Sequence, residues 1–81
     1  MIKVVLQGSL KAAAGGRSEF ALEATNIRQL LDRLGEAEPA LLPVLERGVA
    51  VSIDGQLYRD AWYQAIAPDS EVFLFGKMAG G

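Results

Sequence analysis

Thr25-Asn26-Ile27-Arg28-Gln29-Leu30-Leu31-Asp32-Arg33-Leu34-Gly35 decides the fold, because nothing else in the chain is as clearly helical. Ile27, Leu30, Leu31 and Leu34 recur at i, i+3, i+4 and i+7, which is one apolar stripe on a helix. Arg28, Gln29, Asp32 and Arg33 fill the polar side. Thr25 and Asn26 are helix-start residues, and Gly35 sits where a left-handed residue is expected to end the helix.

On both sides of this helix the period falls to two. Ile2, Val4 and Leu6 alternate with Lys3, Val5 and Gln7 as a first strand. Residues 8–17, with Gly8, Gly15 and Gly16, read as a loop, and Gly15-Gly16 as a flexible hairpin connection without the spacing of a phosphate loop. Residues 18–24 alternate again, so the first two strands are expected to pair as an antiparallel hairpin. Beyond the helix, Pro39 and Pro43 allow only one or two short turns, from which Leu41, Leu42, Val44 and Leu45 cover part of the core. Val49, Val51 and Ile53 mark a third strand, Asp54-Gly55 a tight turn, and residues 56–59 a short returning strand. Asp60 reads as the cap of a single turn at Ala61-Trp62-Tyr63, whose two aromatics are expected to be buried in the core or at its edge. Residues 72–75 form the last strand.

One helix between two hairpin-like pairs gives an α+β β-grasp, or ubiquitin-like, fold. It is a mixed sheet of four to five strands with one main helix across one face, the last strand lying parallel to the first through a right-handed crossover. Residues 1–81 form one domain, with a flexible C-terminal tail at 76–81. At 81 residues a stability of about 4–12 kcal/mol is expected, and a deep enclosed active site is hard to build.

Composition narrows the chemistry. The chain has no cysteine and no histidine. That removes thiolate nucleophiles, imidazole bases and the usual zinc, haem and copper ligands, so no metal and no catalytic side chains are expected. The net charge is −2 with no run of lysines or arginines, which argues against nucleic acid as a partner. No apolar run approaches the ~20 residues of a membrane helix, and residues 1–6 are too short for a signal peptide. The expected location is therefore the cytoplasm, away from membranes.

The chain ends in Gly80-Gly81. Without Cβ atoms such a tail extends and threads a narrow cleft, presenting the Gly81 carboxylate as a substrate on a stalk. A carboxylate resists attack. Transfer of AMP from ATP neutralises one oxygen and creates a leaving group that a sulfur nucleophile or an amine displaces. The ATP is expected to be used by a partner, since this chain has no phosphate-binding loop and is expected to bind no cofactor itself.

These residues resemble the small ubiquitin-like sulfur carriers (MoaD/ThiS-like), which include the small subunit of molybdopterin synthase and the thiamine-pathway sulfur carrier. The resemblance covers nearly the whole chain: residues 2–6, Gly15-Gly16, the 27–34 helix, Val49-Ala50-Val51-Ser52-Ile53-Asp54-Gly55, Asp69-Ser70-Glu71-Val72 and Gly80-Gly81. It implies a carrier or non-catalytic small subunit rather than an enzyme. Gly81 is adenylated by an E1-like enzyme and then carries sulfur as a thiocarboxylate. Implied partners are that adenylating enzyme, a sulfur-accepting synthase subunit, and a sulfur donor such as a cysteine desulfurase or rhodanese-like protein. Two departures weigh against the molybdopterin branch. Gly76-Lys77-Met78-Ala79 stands where many of its members have prolines, and Pro68-Asp69-Ser70-Glu71-Val72 replaces the common Asp-Gly-Asp-Glu-Val.

In this reading Gly76, Lys77, Met78, Ala79 and Gly80 thread into the partner and Gly81 bears the reactive carbon. In the last strand Val72 and Leu74 share one side, Phe73 and Phe75 the other, and both sides are apolar. Either the strand is covered on both faces, or Phe73 and Phe75 lie on an open face and dock a partner, which is the reading adopted. Three functions remain: sulfur carrier for molybdopterin-type or thiamine-type cofactor synthesis, protein modifier forming amides through the same terminus, and plain binding domain.

Overall fold

The 25–35 stretch does form the central helix of the computed structural model, and its start is fixed by side chains. The structure describes residues 1–59 and 61–76. Helix α2 (Ile27–Ala37) is capped by Asn26, whose side-chain oxygen accepts from the Gln29 amide at 2.8 Å. Gln29 Oε1 in turn accepts from the Thr25 amide at 2.7 Å, a reciprocal pair close to a capping box. Loop carbonyls satisfy two further free donors of the first turn: Ile27 N–H donates to Gln64 at 3.1 Å and Arg28 N–H to Trp62 at 2.7 Å. Asn26→Ala is expected to cost about 1 kcal/mol, read as a lower midpoint in urea unfolding at unchanged slope.

The remaining elements in chain order are β1 (Ile2–Gln7), α1 (Ser9–Ala13), β2 (Glu19–Leu22), a 3₁₀ turn (Pro39–Leu41), α3 (Leu42–Arg47), β3 (Val49–Ile53), β4 (Gln56–Tyr58) and β5 (Glu71–Gly76). The five strands lie in the order β2-β1-β5-β3-β4. β1 pairs antiparallel with β2 and parallel with β5; β3 pairs antiparallel with β4 and β5. This is the β-grasp arrangement expected. The core is a single sandwich of sheet and α2. Val4, Leu6, Val72 and Leu74 from the sheet meet Leu30 and Leu34 from the helix, all 2 % exposed or less.

Several local expectations need correction. The 8–17 segment is not only a loop: Ser9–Ala13 make one helical turn whose Leu10 is fully buried. Alanines favour that turn, and Leu10 supplies the anchor that keeps so short a helix folded. Gly35 does not end α2, which continues to Ala37 and closes where Glu38 N–H donates to Leu34. Gly35 is buried instead, and a Cβ there would lie 2.6 Å from Leu42 Cδ2. The glycine serves the close approach of α3, a tertiary demand invisible to a local end signal. Leu42 is 47 % exposed, so of the leucines around it Leu41 fills the core and Leu42 does not. Trp62 (39 %) and Tyr63 (80 %) are exposed rather than buried. The helix start captures their loop by backbone hydrogen bonds, which leaves the rings outward.

Pro43 sits in the first turn of α3, where its missing N–H is no loss. Asp54 (φ 48°) and Gly55 (φ 90°) make the β3–β4 turn in the left-handed region that such a hairpin demands. Gly76, expected in the tail, is the last residue of β5 and pairs with Val49. The proposed cap at Asp60 lies outside the described residues.

Candidate functional site

β5 is a central strand, and its alternation now has a definite phase. Val72 and Leu74 are fully buried under α2, so Phe73 and Phe75 point to the opposite face, where both are half-buried. The pairing register lays out that face in rows. Glu19, Val5, Phe73, Ser52 and Leu57 form one row across all five strands. Gln7, Phe75 and Ala50 form the next, toward the exit of β5. Ala21, Lys3 and Glu71 form the row on the other side.

The middle of this face is therefore apolar: Val5, Phe73, Phe75 and Ala50, extended at the β4 edge by Leu57, which is 53 % exposed. Its border is charged. Lys3 Nζ lies 3.9 Å from Glu19 Oε1 and 3.7 Å from Glu71 Oε2, both exposed pairs that fix orientation more than stability. An apolar centre with a charged border is the usual anatomy of a protein-docking patch.

Gly76 ends β5 on the Phe75 side of this face, and a Cβ there would press into Ser9 Oγ of α1. The last residue of β5 is thus packed against α1. Lys77, Met78, Ala79, Gly80 and Gly81 lie outside the described residues. Leu57 is a member of the face that strand-by-strand reading missed. The Asp54-Gly55 turn was the available signal, because a two-residue hairpin sets Leu57 opposite Ser52. Among the described residues no group of three or more Asp and Glu could hold a metal ion, and no helix is long and apolar enough to cross a membrane.

The model of the ThiS family matches residues 4–81. The chain belongs to the ThiS family. Solved structures agree on the fold of this ThiS-family chain. The crystal structure of SAMP1 from Haloferax volcanii is 27 % identical, with a TM-score of 0.74 over 99 % of this chain and 98 % of that one. The solution structure of small archaeal modifier protein 1 from Methanosarcina acetivorans is 23 % identical, TM-score 0.82, over 99 % and 95 %. A chain of the Amycolatopsis orientalis BexX/CysO complex is 12 % identical, TM-score 0.77, over the whole of both. No curated protein matches the ThiS-family chain.

Proposed function

We propose that this chain is a sulfur carrier whose Gly81 carboxylate is adenylated by an E1-like enzyme and converted to a thiocarboxylate for cofactor synthesis. The observation that carries the reading is continuity: the family match runs through residue 81, and the strand that bears Phe73 and Phe75 ends at Gly76, with three residues of sequence between it and Gly80.

The chemistry balances in three steps. A Gly81 carboxylate oxygen attacks the α-phosphorus of ATP, the bond to the β-phosphate breaks, and pyrophosphate leaves. The terminal sulfur of a donor persulfide then attacks the acyl carbon, the bond to AMP breaks and AMP leaves with the electron pair; a second thiol attacks the inner sulfur of the resulting acyl disulfide, is oxidised to a disulfide and releases the thiocarboxylate. All three steps occur in partners. The five residues 77–81 span at most ~18 Å when extended. The docking face must therefore seat on the partner within that reach of its active site. The partners are the adenylating enzyme, a sulfur donor of the cysteine desulfurase or rhodanese-like class, and a sulfur-accepting synthase subunit. The cytoplasm is the compartment where all three would meet the carrier.

Pyrophosphate–ATP exchange with an E1-like enzyme of the same organism tests the first step. Exchange that depends on the intact carrier supports the reading; no exchange with any such enzyme opposes it. Phe75→Ala is expected to weaken binding to the activating enzyme by about tenfold or more, as for a truncated aromatic anchor, with a much smaller change in thermal stability. Isothermal titration and a melting curve of the same variant decide this, and a large stability loss at unchanged affinity would sink it.

A second reading, protein modification through an amide at Gly81, is favoured by one observation: the 27 %-identical structure is of a protein whose fuller name is small archaeal modifier protein 1. A covalent ladder on other proteins after activation would select it.

A further inference from the structure

We propose that the groove between α2 and α3, on the helix side of the sheet, docks a basic amphipathic segment of a partner protein. Five large apolar side chains are exposed among the described residues; Met1 and Tyr63 stand apart, and the other three fall in two places. Leu57 extends the sheet face, whereas Leu42 and Trp62 flank this groove. Leu31, Gly35 and Leu45 form its apolar floor. Its rim carries Arg28, Asp32, Glu36 and Glu46.

Three features make it a built surface rather than scattered exposure. Trp62 is held by the 2.7 Å bond from Arg28 N–H to its carbonyl, so its backbone is tied to the first turn of α2 and the ring stands at the rim. Gly35 sits in a helix interior, where glycine costs ~1 kcal/mol relative to alanine, and it lets Leu42 pack close beside the floor. The charge is one-sided. Arg28 pairs with Asp32 at 3.4 Å, while Glu36 and Glu46 make no ion pair among the described residues.

Charge complementarity selects the occupant. An apolar floor under two uncompensated carboxylates fits a segment with large apolar side chains on one face and Lys or Arg flanking them. A second copy of this chain fits poorly. A two-fold interface would set one acidic rim against another, and the whole chain is net negative at −2. The groove faces away from Phe73 and Phe75, so a segment seated there leaves the docking face and tail free for a second protein at the same time.

Trp62 is the only tryptophan in the chain and reports the groove directly. The probe is a synthetic helical peptide with Leu along one face and Lys along the other, titrated into the full-length protein. The expected result is a saturable blue shift of Trp62 emission. Glu36→Lys combined with Glu46→Lys, both exposed positions, should weaken binding by about tenfold or more and flatten its salt dependence. Phe75→Ala and deletion of Gly81 should leave it unchanged, so the result stands apart from the sulfur-carrier reading. The proposal is overturned by no shift, by equal binding of the peptide with Glu in place of Lys, or by charge reversal without effect. A Trp62 shift that follows protein concentration without peptide would assign the groove to a second copy and would also overturn it.

Discussion

Removal of Gly81, or addition of one residue after it, is expected to reduce ATP-dependent sulfur loading by at least about 100-fold. Either change moves the terminal carboxyl along the partner's cleft by roughly 3.3–3.6 Å, the rise of one extended residue. Group transfer tolerates far less, since a displacement of about 1 Å costs on the order of 100-fold. Deletion leaves a glycine at the end, so the chemical group is retained and only its position changes. The fold should register neither change: among the described residues the core ends at Leu74, and β5 ends at Gly76. The measurement pairs the loading rate with a melting curve. Loading at near the wild-type rate in the shortened chain would remove Gly81 from the site.

The largest stability effect is expected at Leu74→Ala. Leu74 is fully buried on a strand flanked by β1 and β3. Truncation leaves a cavity against α2 and should cost about 3 kcal/mol. For a domain of this size that is a drop in Tm of roughly 12–24 °C. Such a loss is a large share of a total near 4–12 kcal/mol. Its neighbour Phe75 is a larger side chain, but it is only half-buried and lies on the other face. If the two faces differ as described, Leu74→Ala damages folding and spares affinity per folded molecule, whereas Phe75→Ala does the reverse. Equal melting losses for both would show that the sheet is covered on both sides.

Much of this was legible from periodicity. The i, i+3, i+4, i+7 stripe of Ile27, Leu30, Leu31 and Leu34 is buried as expected, because a helix laid on a sheet must hide one stripe. The parallel pairing of β1 with β5 is the one that a right-handed crossover allows. What escaped depended on partners distant in sequence. Ser9–Ala13 is too short to show a helical period and exists because Leu10 reaches the core. Gly35 carries the local mark of a helix end, yet its neighbour is Leu42 of α3. Trp62 and Tyr63 have the composition of core residues, but backbone bonds to the α2 start decide where their loop lies.

The candidate site divides in the same way. The role proposed for Gly80 and Gly81 rests on the sequence alone, because it needs no fold around them, only a terminus and freedom from side chains, and both lie outside the described residues. The phase of Phe73 and Phe75 was not legible there, since Val72 and Leu74 are equally apolar. Only the position of α2 over one face distinguishes them. The groove around Leu31, Leu42 and Trp62 left no sequence signal at all, because its floor and rim come from three separate segments.

Intact-mass spectrometry tests the central claim most directly. The protein is incubated with ATP, its E1-like enzyme and a sulfur donor, then fragmented. The account predicts a mass gain equal to replacing one oxygen by sulfur, located at Gly81 and absent when ATP is withheld. An unchanged mass under conditions where the same enzyme consumes ATP on this chain, or sulfur found at any other residue, would contradict it.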